Sequence, residues 1–404
     1  LAAIIQRIEN VFQLVSGLAT SAIEGNTLNT RRAQPLSGIL VLDFTTLLPG
    51  PLATLMLAEA GAEVIKIERP EGEDMRGMPP RHDGAAAVFS TLNRGKKGLA
   101  IDLKNEKDRN RLRPLLEKAD VLVEQFRPGV MERLDLGYAA VKKINPRIVY
   151  CSISGFGQQG PRAGDAGHDI NYQSLTGLLA LQPGPPDRPV VPPALIADIG
   201  GGTMPAVINI LLGLRQRDAT GEGVYLDVAM TDAMFTFAWY AYAIGQATGK
   251  FPGPGELRLV GASPRYQLYP TRDGKIVACG ALEQKFWLAF CNTIALPAPL
   301  MNDLADPEAT KAAIAAIIKR ETAGHWRPKF AAADCCVTIM ASLEEALHDP
   351  HFVERGLFAH HIAGPSGATM PALPVPIAAT LREPAGSVRP APQLGADNDT
   401  YLKR

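Results

Sequence analysis

Residues 38–67 read G-I-L-V-L-D-F-T-T-L-L-P-G-P-L-A-T-L-M-L-A-E-A-G-A-E-V-I-K-I, and their pattern decides the fold class. Residues 39–42 form a short apolar run of strand length, 51–60 a helical segment, and 63–67 a second run with β-branched residues. This β-α-β opening repeats outward. Strand character returns at 98–102, 121–124 and 147–152, with a charged helix expected over 106–119. Strands that alternate with helices predict an α/β fold whose mostly parallel sheet is covered on both faces. Beyond residue 169 a helix is expected toward 181, a Pro-rich extended stretch over 183–193, and long helices over 197–217 and 230–248. The Gly and Pro cluster at 249–255 reads as a linker. Residues 260–281 have strand character about a turn at 272–274, helices follow over 284–331, and the Pro- and Gly-rich tail after 361 is expected to wrap over an existing surface.

Composition narrows the function classes. The chain has 404 residues, 46% hydrophobic and 20% charged, more than one core usually serves, so two domains are expected. Lys and Arg number 41, and so do Asp and Glu. With no overall field to draw a polyanion, no nucleic-acid partner is expected, and any anion site must be local. The apolar runs fall short of the roughly 20 residues that span a bilayer, so no membrane segment is expected. The five cysteines (151, 279, 291, 335 and 336) form no C-x-x-C pair, and no His stands at zinc-ligand spacing, which predicts a reducing compartment and no metal. A cytoplasmic location is expected, an organellar matrix remaining open; the last residues, Leu402, Lys403 and Arg404, are not a peroxisomal address. Residues 4–18 carry apolar groups at helical spacing with few basic ones, as in a helix that packs on the body rather than a transit peptide.

Residues 164–177, G-D-A-G-H-D-I-N-Y-Q-S-L-T-G, set His168 beside Asp169 where a Gly-containing loop enters a helix. Helix entrances stabilise negative charge, and a histidine there moves protons near neutral pH. The competing reading makes Asp169 a helix cap and His168 an ordinary loop histidine. In 195–202, L-I-A-D-I-G-G-G, Asp198 precedes three glycines that let a backbone or a ligand come close; the Lys and Ser/Thr of a phosphate loop are missing. Glu283 stands at a strand-to-helix junction, where it caps or faces a cleft. Lys66, Arg69, Arg76, Arg81, Asn93, Arg94, Lys96, Lys97 and Arg127 cluster in loops and strand ends of the first domain, either a seat for a phosphorylated ligand or a solvated rim.

Taken in order, V-L-D-F-T-T-L-L-P-G-P-L-A-T from Val41, G-A-E-V-I-K-I-E-R-P from Gly61, N-R-G-K-K-G from Asn93, F-R-P-G-V from Phe126, S-G-F-G-Q-Q-G-P from Ser154 and G-G-G-T-M from Gly200 resemble coenzyme A transferase family III (the CaiB/BaiF group), and within it the α-methylacyl-CoA racemases. The resemblance runs over nearly all of residues 36–404. It implies an interlocked homodimer, each subunit with a large Rossmann-like domain that binds coenzyme A and a smaller α+β domain. The boundaries expected are an extension at 1–36, a large domain of 37–228 with 365–404, a linker helix at 229–259, a small domain at 260–345 and a return linker at 346–364. No prosthetic group is implied, coenzyme A being part of an acyl-CoA substrate, with Lys66, Asn93, Lys97 and Arg127 as the residues expected to hold it.

The resemblance implies two chemistries. Transferases of the family use one Asp as a nucleophile that carries the acyl group as an anhydride; Asp169 occupies that position, and Gln173 keeps the D-x-x-x-Q spacing. Racemases use a His, an Asp before the glycines and a Glu in a G-A-x-E segment, which here are His168, Asp198 and Glu283. All three are present, so the expected activity is epimerisation of a 2-methylacyl-CoA, with transfer through Asp169 as the alternative. The racemase segment G-G-A-P-Y-Y reads G-A-S-P-R-Y here, so Arg265 is expected to bear on which acyl chain fits.

Overall fold

The computed structural model describes residues 34–184 and 187–402; the helix expected at residues 4–18 lies outside them. Residues 36–404 form a single compact unit. Its main sheet has six strands, β1 (Leu40–Asp43), β2 (Glu63–Glu68), β3 (Lys97–Ala100), β4 (Val121–Glu124), β5 (Val149–Ser154) and β6 (Val224–Ala229). They are ordered β3-β2-β1-β4-β5-β6 and every pairing is parallel. That order reverses direction between β1 and β4, and open α/β sheets bind ligands at the carboxyl ends of the strands at such a switch point. The α/β expectation holds.

Helices Pro49–Glu59 and Met204–Thr220 cover one face, and the helices of 106–144 cover the other. Val41, Val121, Val149 and Cys151 pack on the first, and Leu42, Ile65, Leu122 and Tyr150 on the second. Ala197–Thr220 is, among the described residues, the helix long and apolar enough to cross a membrane, and it is partly buried. Its buried Arg217 pairs with Asp120 at 2.6 Å beside β4, the placement of a core helix that closes the sheet.

Three expected helices are interrupted, that over 230–248 into Met234–Phe237 and Trp239–Thr248. The segment over 106–119 is split into Glu106–Arg111 and Arg113–Lys118, because Pro114 has no amide to donate back to Asn110. The helix begun at Asp169 stops at Leu175, where Gly177 takes a φ of 79° before a short turn at Leu179–Leu181. A strand that the sequence pattern does not announce, β6, completes the sheet on the β5 edge.

A second sheet, antiparallel, consists of β7 (Gln267–Pro270), β8 (Ile276–Cys279) and β9 (Val337–Ile339), in the order β9-β8-β7. Trp287, Phe290, Trp326 and Phe330 form its separate core. The tail wraps as expected. Asp397 and Asn398 accept from the Gly98 and Ala100 amides, satisfying the open edge of β3, and Leu402 enters the core.

Candidate active site

The site is built on a buried polar network. Asp43, at the carboxyl end of β1, is fully buried and accepts from the Thr45 amide (2.9 Å), the Thr45 and Thr54 hydroxyls (2.5 and 2.6 Å) and the Lys96 ammonium (2.9 Å). Burial alone would raise its pKa, but Lys96, Lys66 and the two hydroxyls hold it far below the ordinary carboxylate range. Burial in turn lowers Lys96 to about 8. Lys66 donates to the Thr45 carbonyl at 2.9 Å and pairs with Glu73, whose other oxygen accepts from the Leu47 amide. Asn93 accepts from Lys96 at 2.8 Å. These bonds pin the loop after β1 and keep Leu47 at a φ of 62°, in the left-handed region. Lys66 and Asn93, expected to hold a ligand, present no surface in this conformation, because charged and amide groups at this depth are spent on one another.

The pinned loop forms one wall of a cavity of about 490 Å³. Its other walls are residues 125–128 after β4, Ser154 and Gly155 at the end of β5, Met230 after β6, and the helix entrance at His168. Glu124 fixes the second wall by accepting from the Phe126 amide at 2.8 Å, and burial pushes its carboxyl up to about 7. His168 is exposed to the cavity. Its amide donates to Asn171 Oδ1 at 3.0 Å, and the Tyr172 hydroxyl donates to the Gly167 carbonyl at 2.6 Å, so the loop reaches the helix in one conformation.

Asp169 and Asp198, 29 residues apart, are joined directly. Asp169 Oδ1 accepts from the Ala197 and Asp198 amides at 2.7 and 3.0 Å, and Oδ2 from Gln173 Nε2 at 2.6 Å. The residue is only 5% exposed and is not part of the cavity lining. Asp198 does line the cavity, and burial first, then the Asp169 charge, pushes its carboxyl up to about 6, against a lowering by His168. It lies in a π-helical turn, Ala197–Thr203. A Cβ on Gly201 would lie 2.3 Å from the Met230 carbonyl, one on Gly200 2.6 Å from the Phe237 ring and one on Gly202 3.0 Å from the Pro49 side chain, so the glycines let neighbouring backbone and side chains pack against this turn.

A second pocket, about 520 Å³, shares Thr46, Leu47 and Phe126 with the first and runs over the ends of β1, β2 and β3. Arg69, Lys104 and Arg133 line it. Lys104 and Arg133 are missing from the sequence-based selection because basic residues in a loop and on a short helix read as solvated surface. Of the expected ligand residues, Arg127 lines the His168 cavity, whereas Lys97 lines a separate pocket of about 710 Å³ with Arg76 and Arg81.

Glu283 is not brought to His168 within the chain. It is exposed at the N-terminus of helix Gln284–Thr293 and does not cap it. Arg265 is not free to meet an acyl chain: it is buried and makes two bonds to Asp303. Among the described residues no group of His, Cys, Asp and Glu is placed to hold a metal ion.

Residues 36–398 match CoA-transferase family III. The alpha-methylacyl-CoA racemase of Homo sapiens is 34% identical over 330 residues, 80% of this chain and 82% of that protein. The acetyl-CoA:oxalate CoA-transferase of Acetobacter aceti is 35% identical over 356 residues, 85% of this chain and 89% of that protein. A CaiB/BaiF family protein of Brucella suis superposes with a TM-score of 0.74 at 30% identity, covering 91% of this chain and 98% of its own. Identity is equal toward both chemistries, so it does not choose between them.

Proposed function

The chain belongs to coenzyme A transferase family III, and on that premise we propose that it is an acyl-CoA racemase, which inverts the α-carbon of a 2-methylacyl-CoA by removing and returning one proton through an enolate. One observation carries this reading. His168 and Asp198 face a common cavity, whereas Asp169 has both carboxylate oxygens bound and lies outside the lining.

Inversion needs a base on each face of the α-carbon and a donor for the enolate oxygen. His168 takes the proton on one face and Asp198 returns one on the other. A carboxyl held at about 6 is suited to both directions, being ionised at neutral pH yet a poor enough acid to keep a proton briefly. The Asp169 and Ile170 amides at the entrance of helix Asp169–Leu175 precede its first main-chain bond, which the Asn171 amide makes to the His168 carbonyl, and they are the donors for the enolate oxygen. Asp169 anchors the Asp198 turn through two main-chain bonds.

The adjoining pocket takes the nucleotide end of coenzyme A. Arg69, Lys104 and Arg133 meet its phosphates, Phe126 offers a ring face, and the pantetheine arm passes Thr46 and Leu47 toward His168. Glu283 orients the His168 ring from a second copy of the chain. Support for such a dimer comes from Ile208, Leu212, Phe235, Trp239 and Tyr242, large apolar groups that one copy leaves exposed.

The 2.6 Å bond between Gln173 and Asp169 favours a second reading, in which Asp169 attacks the thioester and Gln173 steadies it. One incubation separates the two. A single 2-methylacyl-CoA epimer in D₂O without acceptor acid gains α-deuterium and loses configuration if the enzyme is a racemase. Absence of exchange, together with acid-dependent thioester transfer and hydroxylamine modification of Asp169, would sink that reading.

A further inference from the structure

The Glu283 carboxylate is exposed and does not cap its own helix, yet the main chain beside it is tightly held. Leu282 O accepts from Arg265 Nη1 at 3.2 Å and from Arg258 Nη2 at 3.3 Å. The Leu282 amide donates to the Gly280 carbonyl at 2.8 Å, and Glu283 O accepts from the Trp287 amide at 2.9 Å. Ala281, two residues before Glu283, is fully buried.

Arg265 is itself fixed on every side. Nε and Nη2 reach Asp303 at 2.9 and 2.6 Å, and the guanidinium lies 5.0 Å from the centre of the Trp287 ring. Trp287 is anchored by its indole N–H to the Met301 carbonyl at 2.8 Å. A buried Arg–Asp pair is a costly way to gain stability, since apolar side chains of the same volume commonly do as well or better. What apolar packing lacks is a rigid donor aimed at a carbonyl. Here that carbonyl belongs to the residue directly before Glu283.

We propose that Arg265, held by Asp303, is a positioning residue: it fixes the main chain at Leu282 and so sets where the Glu283 carboxylate stands. The inference rests on the reading that Glu283 orients His168 and extends it to a pair with no contact to substrate.

The test compares the full-length variants R265M, R265K, D303N, E283Q and the double variant R265M/E283Q. The readouts are kcat and KM for α-deuteration of a single 2-methylacyl-CoA epimer, together with amide exchange of residues 280–287. Displacing an orienting group by about 1 Å costs roughly 100-fold in rate, so R265M and D303N are expected to lower kcat by about 10- to 100-fold and leave KM within about twofold. R265K, which keeps a charge and one donor, recovers part of the loss. The double variant is no slower than E283Q, since groups that act as a unit are not additive. Exchange at 282–283 quickens in R265M. Native kcat in R265M and D303N beside a crippled E283Q overturns the positioning role and leaves the role of Glu283 standing. Native kcat in E283Q overturns the underlying reading, and the positioning role with it. If R265M does not fold, the nearly isosteric D303N carries the same comparison.

Discussion

Replacing Asp169 by Asn changes one atom and separates the two chemistries. The carboxylate accepts from the Ala197 amide at 2.7 Å, the Asp198 amide at 3.0 Å and Gln173 at 2.6 Å. An Asn keeps a carbonyl oxygen for the two main-chain donors, and a flip of the Gln173 amide restores the third bond. Bonds to a charged acceptor contribute about 1.5–3 kcal/mol and neutral ones about 0.5–1.5, so the substitution is expected to lower stability by about 1–3 kcal/mol, part of the loss being offset by easier burial. The fold therefore survives. The charge of Asp169 is, after burial, the larger of the influences that raise Asp198. Without it the Asp198 pKa drops from about 6 while burial still holds it above the ordinary carboxylate range. For a base, the acid limb of the rate profile follows its pKa, so D169N should exchange α-protons within about tenfold of the native rate and keep that rate to lower pH. The assay is α-deuteration of one 2-methylacyl-CoA epimer between pH 5 and 9, with urea unfolding as the control. A folded D169N that neither exchanges nor racemises would refute the reasoning, because an amide lacks the nucleophile of the covalent route but retains every acceptor that the proton-transfer route requires.

Three further outcomes follow from the same geometry. D198N should abolish inversion yet still wash deuterium into the epimer whose α-proton faces His168, as proton NMR of each epimer would show; equal loss from both epimers would refute a base on each face. If the second pocket seats the coenzyme A phosphates as proposed, R133A or R69A should raise KM by about 10- to 100-fold with little change in kcat, measured by initial rates. K96M removes the bonded ammonium of a fully buried Asp43, leaving burial to raise its carboxyl against Lys66 and the two hydroxyls, and urea denaturation should report about 3–5 kcal/mol lost.

What the sequence disclosed depended on whether a residue's neighbours in space are also its neighbours in the chain. The β1-helix-β2 opening is local, and its apolar run is that of a strand buried on both faces. The same feature hid the role of Lys66: every residue from Val64 to Glu68 is buried, so alternation along β2 says nothing about which side chain reaches solvent. Lys66 is committed to Glu73 and the Thr45 carbonyl, a partnership set by a loop that periodicity does not describe. β6, V-Y-L-D-V-A, lies on an edge with four of its residues at least partly exposed, and its partner β5 stands far earlier in the chain, so nothing local marks its place in the sheet. His168 and Asp169 were legible because a helix entrance is a local event. The bonding of Asp169 to the turn that carries Asp198 spans 28 and 29 residues and appears only in three dimensions.

Relatives named as a racemase and as a transferase stand at 34% and 35% identity, so overall similarity does not make the choice and the site has to be read for it. Both reactions begin with the same thioester beside the same helix entrance, and both require a carboxylate. They differ in what that carboxylate must have free. A nucleophile needs an oxygen lone pair open to the carbonyl carbon, so an Asp169 poised for attack would present one oxygen to the cavity. In this chain Oδ1 already serves two amides and Oδ2 serves Gln173. Oδ2 keeps a lone pair beside its Gln173 bond, but the side chain is buried and outside the cavity lining, so attack requires it to turn toward the cavity. Asp198 has the opposite balance: it lines the cavity, and its raised pKa expresses an ionised form that burial and Asp169 leave short of stabilisation. A carboxylate in that condition gains by taking a proton, which is what the proposed inversion asks of it on one face of the α-carbon.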